Sequence, residues 1–152
     1  MHMKRLVLAL LALPLVGAAG TDARGVLAID VGNVRIAKGV VHVDVCPEAK
    51  FLKDDCPWSG NARAKLGDTR VTVANLPAGR YAVQAFLDEN SNGEVDRGWF
   101  GIPKEGVGFS NDAKIRLSPP KFAEAAFVFD GNARTIRLKL RYFTGAQGPS
   151  AR

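Results

Sequence analysis

Apolar side chains recur at every second position through most of the chain, and that alternation constrains its fold more than any other feature. Val41, Val43 and Val45 alternate with His42 and Asp44, and Val71 and Val73 alternate with Arg70 and Thr72. Tyr81, Val83, Ala85 and Leu87 share one face of a run whose other face carries Ala82, Gln84 and Phe86. Ile136, Leu138, Leu140 and Tyr142 alternate with Arg137, Lys139 and Arg141. Successive side chains of a strand point to opposite faces, so a period of two describes half-buried antiparallel strands rather than helices. Weaker runs at 26–31, 62–66 and 125–129 bring the total to about seven, the number expected of an antiparallel β-sandwich. The fold class is therefore all-β, and no stretch has the 3.6-residue period of a long helix.

Turn chemistry separates the runs. "ANLPAGRY" places Pro77 and Gly79 in a tight turn feeding a strand. Tyr81, four residues after Pro77, is spaced to bond back to that turn as a tyrosine corner does. Asp130-Gly131 reads as a hairpin turn between the last two strands.

The first segment has another pattern. Lys4-Arg5 precede a run from Leu6 to Val16 interrupted only by Pro14, and Gly17-Ala18-Ala19-Gly20 follow. A basic start, a short apolar stretch and small residues make a secretory signal peptide, expected to span residues 1–19. It is too short for a permanent bilayer anchor, and no cysteine follows it to carry a lipoprotein lipid. The expected product is periplasmic or secreted, with a sandwich at 24–143, a flexible tail at 144–152 and no transmembrane segment after leader removal.

Charge narrows the partners. The chain carries 21 basic and 15 acidic residues, and without Lys4 and Arg5 the balance is 19 − 15 = +4. The cations are interspersed with acids and form no focused patch with aromatics between them, so nucleic acid is not an expected partner. The two cysteines, Cys46 and Cys56, each precede a proline, which pushes both toward extended backbone. In an oxidising compartment an even count points to a disulfide closing "CPEAKFLKDDC", worth about 2–3 kcal/mol for so short a loop. The alternative is a thiol pair for metal or redox work, but the spacing is too long for Cys-x-x-Cys and His42 is the only histidine after the leader.

The middle of the chain departs from the pattern. Residues 88–121 hold Gly93, Gly98, Gly101, Gly106, Gly108, Pro103, Pro119 and Pro120. So long an excursion in a small domain is functional or disordered, and Trp99, Phe100 and Phe109 argue for order. Asp88, Asn90 and Asn92 fall at positions 1, 3 and 5 of a calcium-loop pattern. Gly93 falls at 6, Glu94 at 7 and Asp96 at 9. Calcium takes about six to eight oxygens, and this set offers most of them. The departure is at position 12, where Trp99 replaces the bidentate Glu. The same letters also suit a metal-free turn, because Asn and Asp side chains cap backbone N–H groups. Both readings stand, and calcium is the one candidate cofactor.

"GWFGIPKEGVGFSND" carries the second candidate set: Trp99, Phe100, Glu105, Phe109, Ser110, Asn111 and Asp112. Aromatic faces beside carboxylates and amides suit a small-ligand pocket. Alternatively the rings cover an open sheet edge while Ser110 and Asn111 cap loop backbone. His42, two residues from Asp44 on a strand, reads as a solvent-face residue paired with that carboxylate. The stripe Arg137, Lys139, Arg141 reads as a solvated strand face.

"FLKDDCPWSG", "NLPAGRYAVQAFLDENSNGEVDRGWFGIPKEGVGFSND" and "PPKFAEAAF" together resemble the bacterial family called domain of unknown function 2141. The resemblance runs from about Val26 to Tyr142. It implies an exported transthyretin-like or immunoglobulin-like sandwich, and it implies no chemistry. Three functional classes follow. The first is a non-catalytic exported domain that binds a small ligand or an envelope protein through residues 88–112, with calcium as the candidate ion ordering that loop. The second is a small hydrolase using Glu94, Asp96, Glu105 and Asp112 as acid and base. The third is a structural envelope protein whose long loop only seals the sheet.

Overall fold

The computed structural model describes residues 23–149, so the leader at 1–19 and the last residues of the tail lie outside the described part. Eight strands form two sheets. They are β1 (Arg24–Val34), β2 (Val40–Cys46), β3 (Trp58–Arg63), β4 (Gly67–Pro77), β5 (Gly79–Asp88), β6 (Val107–Phe109), β7 (Phe127–Phe129) and β8 (Arg134–Lys139). One sheet has the order β4-β1-β8. The other has the order β3-β2-β5-β6, with β7 pairing the beginning of β5. The architecture is an all-β sandwich, as the alternation requires.

The alternating residues do what the period of two demands. Val41, Val43, Val45, Val83, Ala85 and Leu87 face Leu27, Ile29, Val31, Val71, Val73 and Leu138 across the gap between the sheets. Each of these twelve is at most 4 % exposed, and burying a Val or Leu fully is worth about 1.5–3 kcal/mol. A second cluster lies on the opposite face of the five-stranded sheet, where Cys46, Phe51, Ala82, Phe109, Ala113, Phe122 and Ala125 pack together. It forms because the segment closed by the Cys46–Cys56 disulfide (Cα–Cα 5.0 Å) and the one-turn helix α1 (Phe122–Ala125) both fold over that face. Phe51 meets Phe109 and Phe122 edge-on there, at 5.7 and 5.8 Å.

Several local expectations need correction. The weak run at 62–66 is displaced: the strand is β3 at Trp58–Arg63, and Ala64–Leu66 lead from one sheet to the other. The run at 125–129 divides into the end of α1 and the three residues of β7. Asp130-Gly131 makes a turn, with Gly131 at φ +85°, but no hairpin. β7 pairs β5 and β8 pairs β1, so this turn carries the chain between sheets. The β1–β8 pairing is parallel, the one exception in an otherwise antiparallel set. The tyrosine corner is present: the Tyr81 hydroxyl donates to the Pro77 carbonyl at 3.1 Å.

At one margin the two sheets are stitched together. Val107 of β6 donates to the Arg141 carbonyl (3.0 Å) and accepts from the Arg141 N–H (2.8 Å), joining the five-stranded sheet to the chain just after β8. Tyr142 then reaches β1, its hydroxyl donating to the Asn33 carbonyl (2.9 Å) and accepting from Arg35 N–H (3.0 Å). Burial pushes its pKa up to about 12, so it keeps the proton it donates.

Candidate functional site

The long excursion opens as a hairpin at residues 88–106, at the end of β5. Asp88, only 5 % exposed, closes its base. One carboxylate oxygen accepts from Asn92 N–H (3.0 Å) and the other from Gly93 N–H (2.8 Å). Gly93 sits at φ +82°, where a side chain would add strain. The Asn90 and Asn92 side-chain oxygens accept from the backbone N–H groups of Asn92 and Glu94, at 3.1 and 2.9 Å. Their amide nitrogens both donate to Asp96, at 2.7 and 2.9 Å.

A second brace comes from the returning limb. Glu105, 4 % exposed, accepts from Glu89 N–H (2.8 Å) with one oxygen and from Asp96 N–H (3.0 Å) with the other. Burial pushes its pKa up, opposed by those two N–H donors and reinforced by the nearby charges of Asp96 and Asp88. Arg35 completes the frame. Its guanidinium donates to Glu89 (2.6 Å) and to the carbonyls of Lys104 (3.1 Å), Thr144 (2.9 Å) and Ala146 (3.1 Å), and it stacks 4.5 Å above the Tyr142 ring.

From this frame the hairpin narrows to a tip. Lys104 N–H donates to the Asp96 carbonyl and Gly98 N–H to the Ile102 carbonyl, both at 2.8 Å. The Arg97 guanidinium donates to the Gly101 carbonyl at 3.0 Å. The turn Trp99–Gly101 caps it. Trp99 is 87 % exposed, Phe100 97 % and Ile102 44 %. Phe100 sits at φ 58°, a left-handed conformation that a bulky residue rarely takes. The rings of Trp99 and Phe100 therefore neither line a pocket nor cover the sheet edge; they project.

A family model described as "uncharacterized protein conserved in bacteria (DUF2141)" matches residues 29–137. The chain belongs to this family. No curated protein and no solved structure matches it.

In this DUF2141 chain the other candidate residues separate into distinct places. Phe109 lies in β6, 8 % exposed, within the second core. Ser110 is 1 % exposed; its hydroxyl accepts from Val83 N–H (2.8 Å) and donates to the Ala125 carbonyl (2.5 Å). Asn111 donates to the Ala126 carbonyl at 2.9 Å. These two cap loop backbone. Asp112 turns to β8 and accepts from Lys139 N–H at 2.7 Å. The structure thus brings Asp88, Asn90, Asn92, Asp96 and Glu105 together and sends Phe109 to Asp112 to the far end of β6. The carboxylates of Glu105, Asp96 and Asp112 accept from backbone or amide donors. Two hollows touch these segments, one at Ser91 of the hairpin and one at Asp112. One of about 380 Å³ is lined by Gly39, Val40, Asn61, Ala62, Arg63 and Ser91. The other, of about 390 Å³, lies on the three-stranded sheet around Asp30, Asp68 and Arg137.

The donor set of the acidic loop fits calcium in kind, being carboxylate and amide oxygens. Its arrangement is that of a loop closed by its own N–H groups: Asn90 and Asn92 present nitrogen to Asp96. Among the described residues no group of three or more His, Cys, Asp or Glu is placed to hold a metal ion. A cation would require both amides to turn over, exchanging nitrogen for oxygen. Arg35 and Ile102 belong to this region and escape the sequence reading. Nothing local to residue 35 announces a contact with residues 89, 104 and 142, and Ile102 lies outside any strand-like run.

Proposed function

We propose that this protein is a non-catalytic exported module that docks on another component of the cell envelope through residues 88–112, with Trp99 and Phe100 as the contact point. One observation carries the reading: two adjacent aromatic rings stand 87 % and 97 % exposed on a hairpin whose neck is held by hydrogen bonds. A loop that only sealed the sheet would turn these rings inward, and a hydrolase would aim its carboxylates into a cleft rather than at backbone N–H groups. Export is supported by the leader-like start and by the Cys46–Cys56 bond, which persists in oxidising compartments.

The test is a photo-crosslinking residue placed at position 100 and, for comparison, at Leu66 in the β3–β4 connection (65 % exposed). In cells, position 100 is expected to give discrete lipid or protein adducts that position 66 does not. Equal yields at the two positions would remove the docking function.

A further inference from the structure

We propose that the occupant of the Trp99–Phe100 tip is the surface of a phospholipid bilayer, into which the two rings and Ile102 insert. This rests on the docking function above and names its partner.

The apolar part of the tip is small and convex. Trp99, Phe100 and Ile102 are its only large apolar side chains, with Gly98 and Gly101 between them. Large aromatics offer about 150–250 Å² each, so the tip falls short of the roughly 800 Å² per partner typical of a stable protein interface. Behind it Arg97 and Lys104 are exposed, while the apolar Val95 and Pro103 are half-buried. A bilayer interface demands neither that area nor shape complementarity. It accepts Trp and Phe at headgroup level, and buries an apolar face about 5–10 Å deep.

Charge is ordered along the hairpin in the sequence that a bilayer meets. Immediately behind the rings come Arg97 and Lys104, both exposed. The Lys104 stem runs beside Gly98, where an added Cβ would lie 3.4 Å from its Cε. Among the described residues neither cation has a carboxylate within ion-pair distance. Arginine and lysine at this depth meet lipid phosphates. The acids lie further back and are engaged: Asp96 by two amides, Glu89 by Arg35, Asp88 and Glu105 by backbone N–H groups. Glu94 is the one acid of the hairpin whose carboxylate has no partner among these bonds, and it stands on the acidic limb rather than at the tip. Apolar tip, cationic collar and acidic neck thus succeed one another from hydrocarbon to phosphate to water. The tip is also prefolded by its five short-range bonds, so insertion costs little ordering entropy.

The test uses the chain beginning at Gly20, because the apolar leader would itself partition into lipid; both cores lie within the part retained. It is mixed with phosphatidylethanolamine vesicles containing phosphatidylglycerol, with and without brominated acyl chains. Brominated lipid is expected to quench tryptophan emission, and Trp99→Phe to abolish that quenching, since Trp58 packs 5.3 Å from Tyr81 within the fold. The double variant Trp99→Ala/Phe100→Ala is expected to lower vesicle partitioning ~tenfold or more. Arg97→Gln/Lys104→Gln lowers it severalfold and removes most of its salt dependence. Melting midpoints unchanged from wild type verify that these exposed substitutions leave the fold intact. Unquenched emission, or tip variants that partition like wild type, overturns the lipid proposal. If protein adducts form at position 100 while vesicles stay unbound, the lipid occupant falls and the docking function stands; if both fail, both fall.

Discussion

His42 stands on the outer face of the five-stranded sheet with an acceptor at each ring nitrogen. Nδ1 lies 2.6 Å from the Asn61 side-chain oxygen and Nε2 lies 2.9 Å from Asp44, while Phe86 packs 5.0 Å from the ring. A neutral imidazole donates from one nitrogen only, so two acceptors favour the imidazolium. The bond to Asp44 raises its pKa most; burial opposes, and Asn61 and the fields of Asp44 and Asp88 add to the rise. The native state therefore binds this proton more tightly than the unfolded chain does. The resulting stability is fully present below the ordinary histidine pKa, near 6.5, and is lost as pH rises through the raised native value. The expected profile is a decline in unfolding free energy above pH ~6.5, flattened in His42→Gln. Chemical denaturation at stepped pH measures it, and a native His42 proton resonance titrating at or below 6.5 would contradict it. Glu105 is the second residue whose environment dictates an outcome. Glu105→Ala leaves the partly buried N–H groups of Glu89 and Asp96 without their acceptor, at an expected cost of about 1–3 kcal/mol. Glu105→Gln falls between: it relieves the buried charge but turns an NH₂ toward one of the donors. Amide exchange at residues 89 and 96 reports the loss directly.

The elements divide by how much of their signal is local. The central strands were legible because Val41, Val43 and Val45, or Tyr81, Val83, Ala85 and Leu87, have nothing to do but fill the space between two sheets. β3 was misplaced because Ser59, Gly60, Asn61 and Arg63 offer no apolar alternation, and its place is decided by pairing with β2. β7 and β8 looked like a hairpin because Asp130-Gly131 makes the same local turn whichever strands it joins. The 88–106 hairpin was legible as an ordered loop, and its Asp88, Asn90, Asn92, Gly93 spacing does form a tight acidic turn. What the letters left open was whether cation or N–H groups fill it. In the structure Asp96 receives two amide donors and Asp88 two backbone donors, all from the loop itself. Melting midpoints in millimolar calcium and in chelator are accordingly expected to agree within about 1 °C. An upward shift of several degrees, abolished by Asp88→Asn, would show instead that the Asn90 and Asn92 amides turn over to present oxygen to a metal.

At the scale of the whole molecule, the sandwich depends on how its margins close. A period of two says which face of a strand is buried but not which strand lies beside it, and so the parallel β1–β8 pair and the junction of β6 with Arg141 could not be read from alternation. That junction links both functional levels of the molecule. β6 carries the returning limb of the 88–106 hairpin on one side and the segment that covers the second core on the other. Its backbone approaches β8 most closely at Gly108, where an added Cβ would lie 2.6 Å from the Lys139 carbonyl oxygen and 3.0 Å from a Leu138 methyl. The oxygen is backbone and cannot swing aside. Gly108→Ala must therefore push β6 away from β8, lengthening the paired Val107–Arg141 bonds and opening the margin. The expected cost is about 1–3 kcal/mol, with amide exchange accelerated at Val107 and Arg141 but not at Val43 or Val83 in the sheet centre. Because Glu105 and Arg35 hold the hairpin to the same margin, the variant should also loosen the neck and broaden the resonances of Trp99 and Phe100. A Gly108→Ala protein with wild-type stability and unchanged protection at those two amides would mean that the sheets are not joined there in solution, and that the hairpin takes its rigidity from its own turns alone.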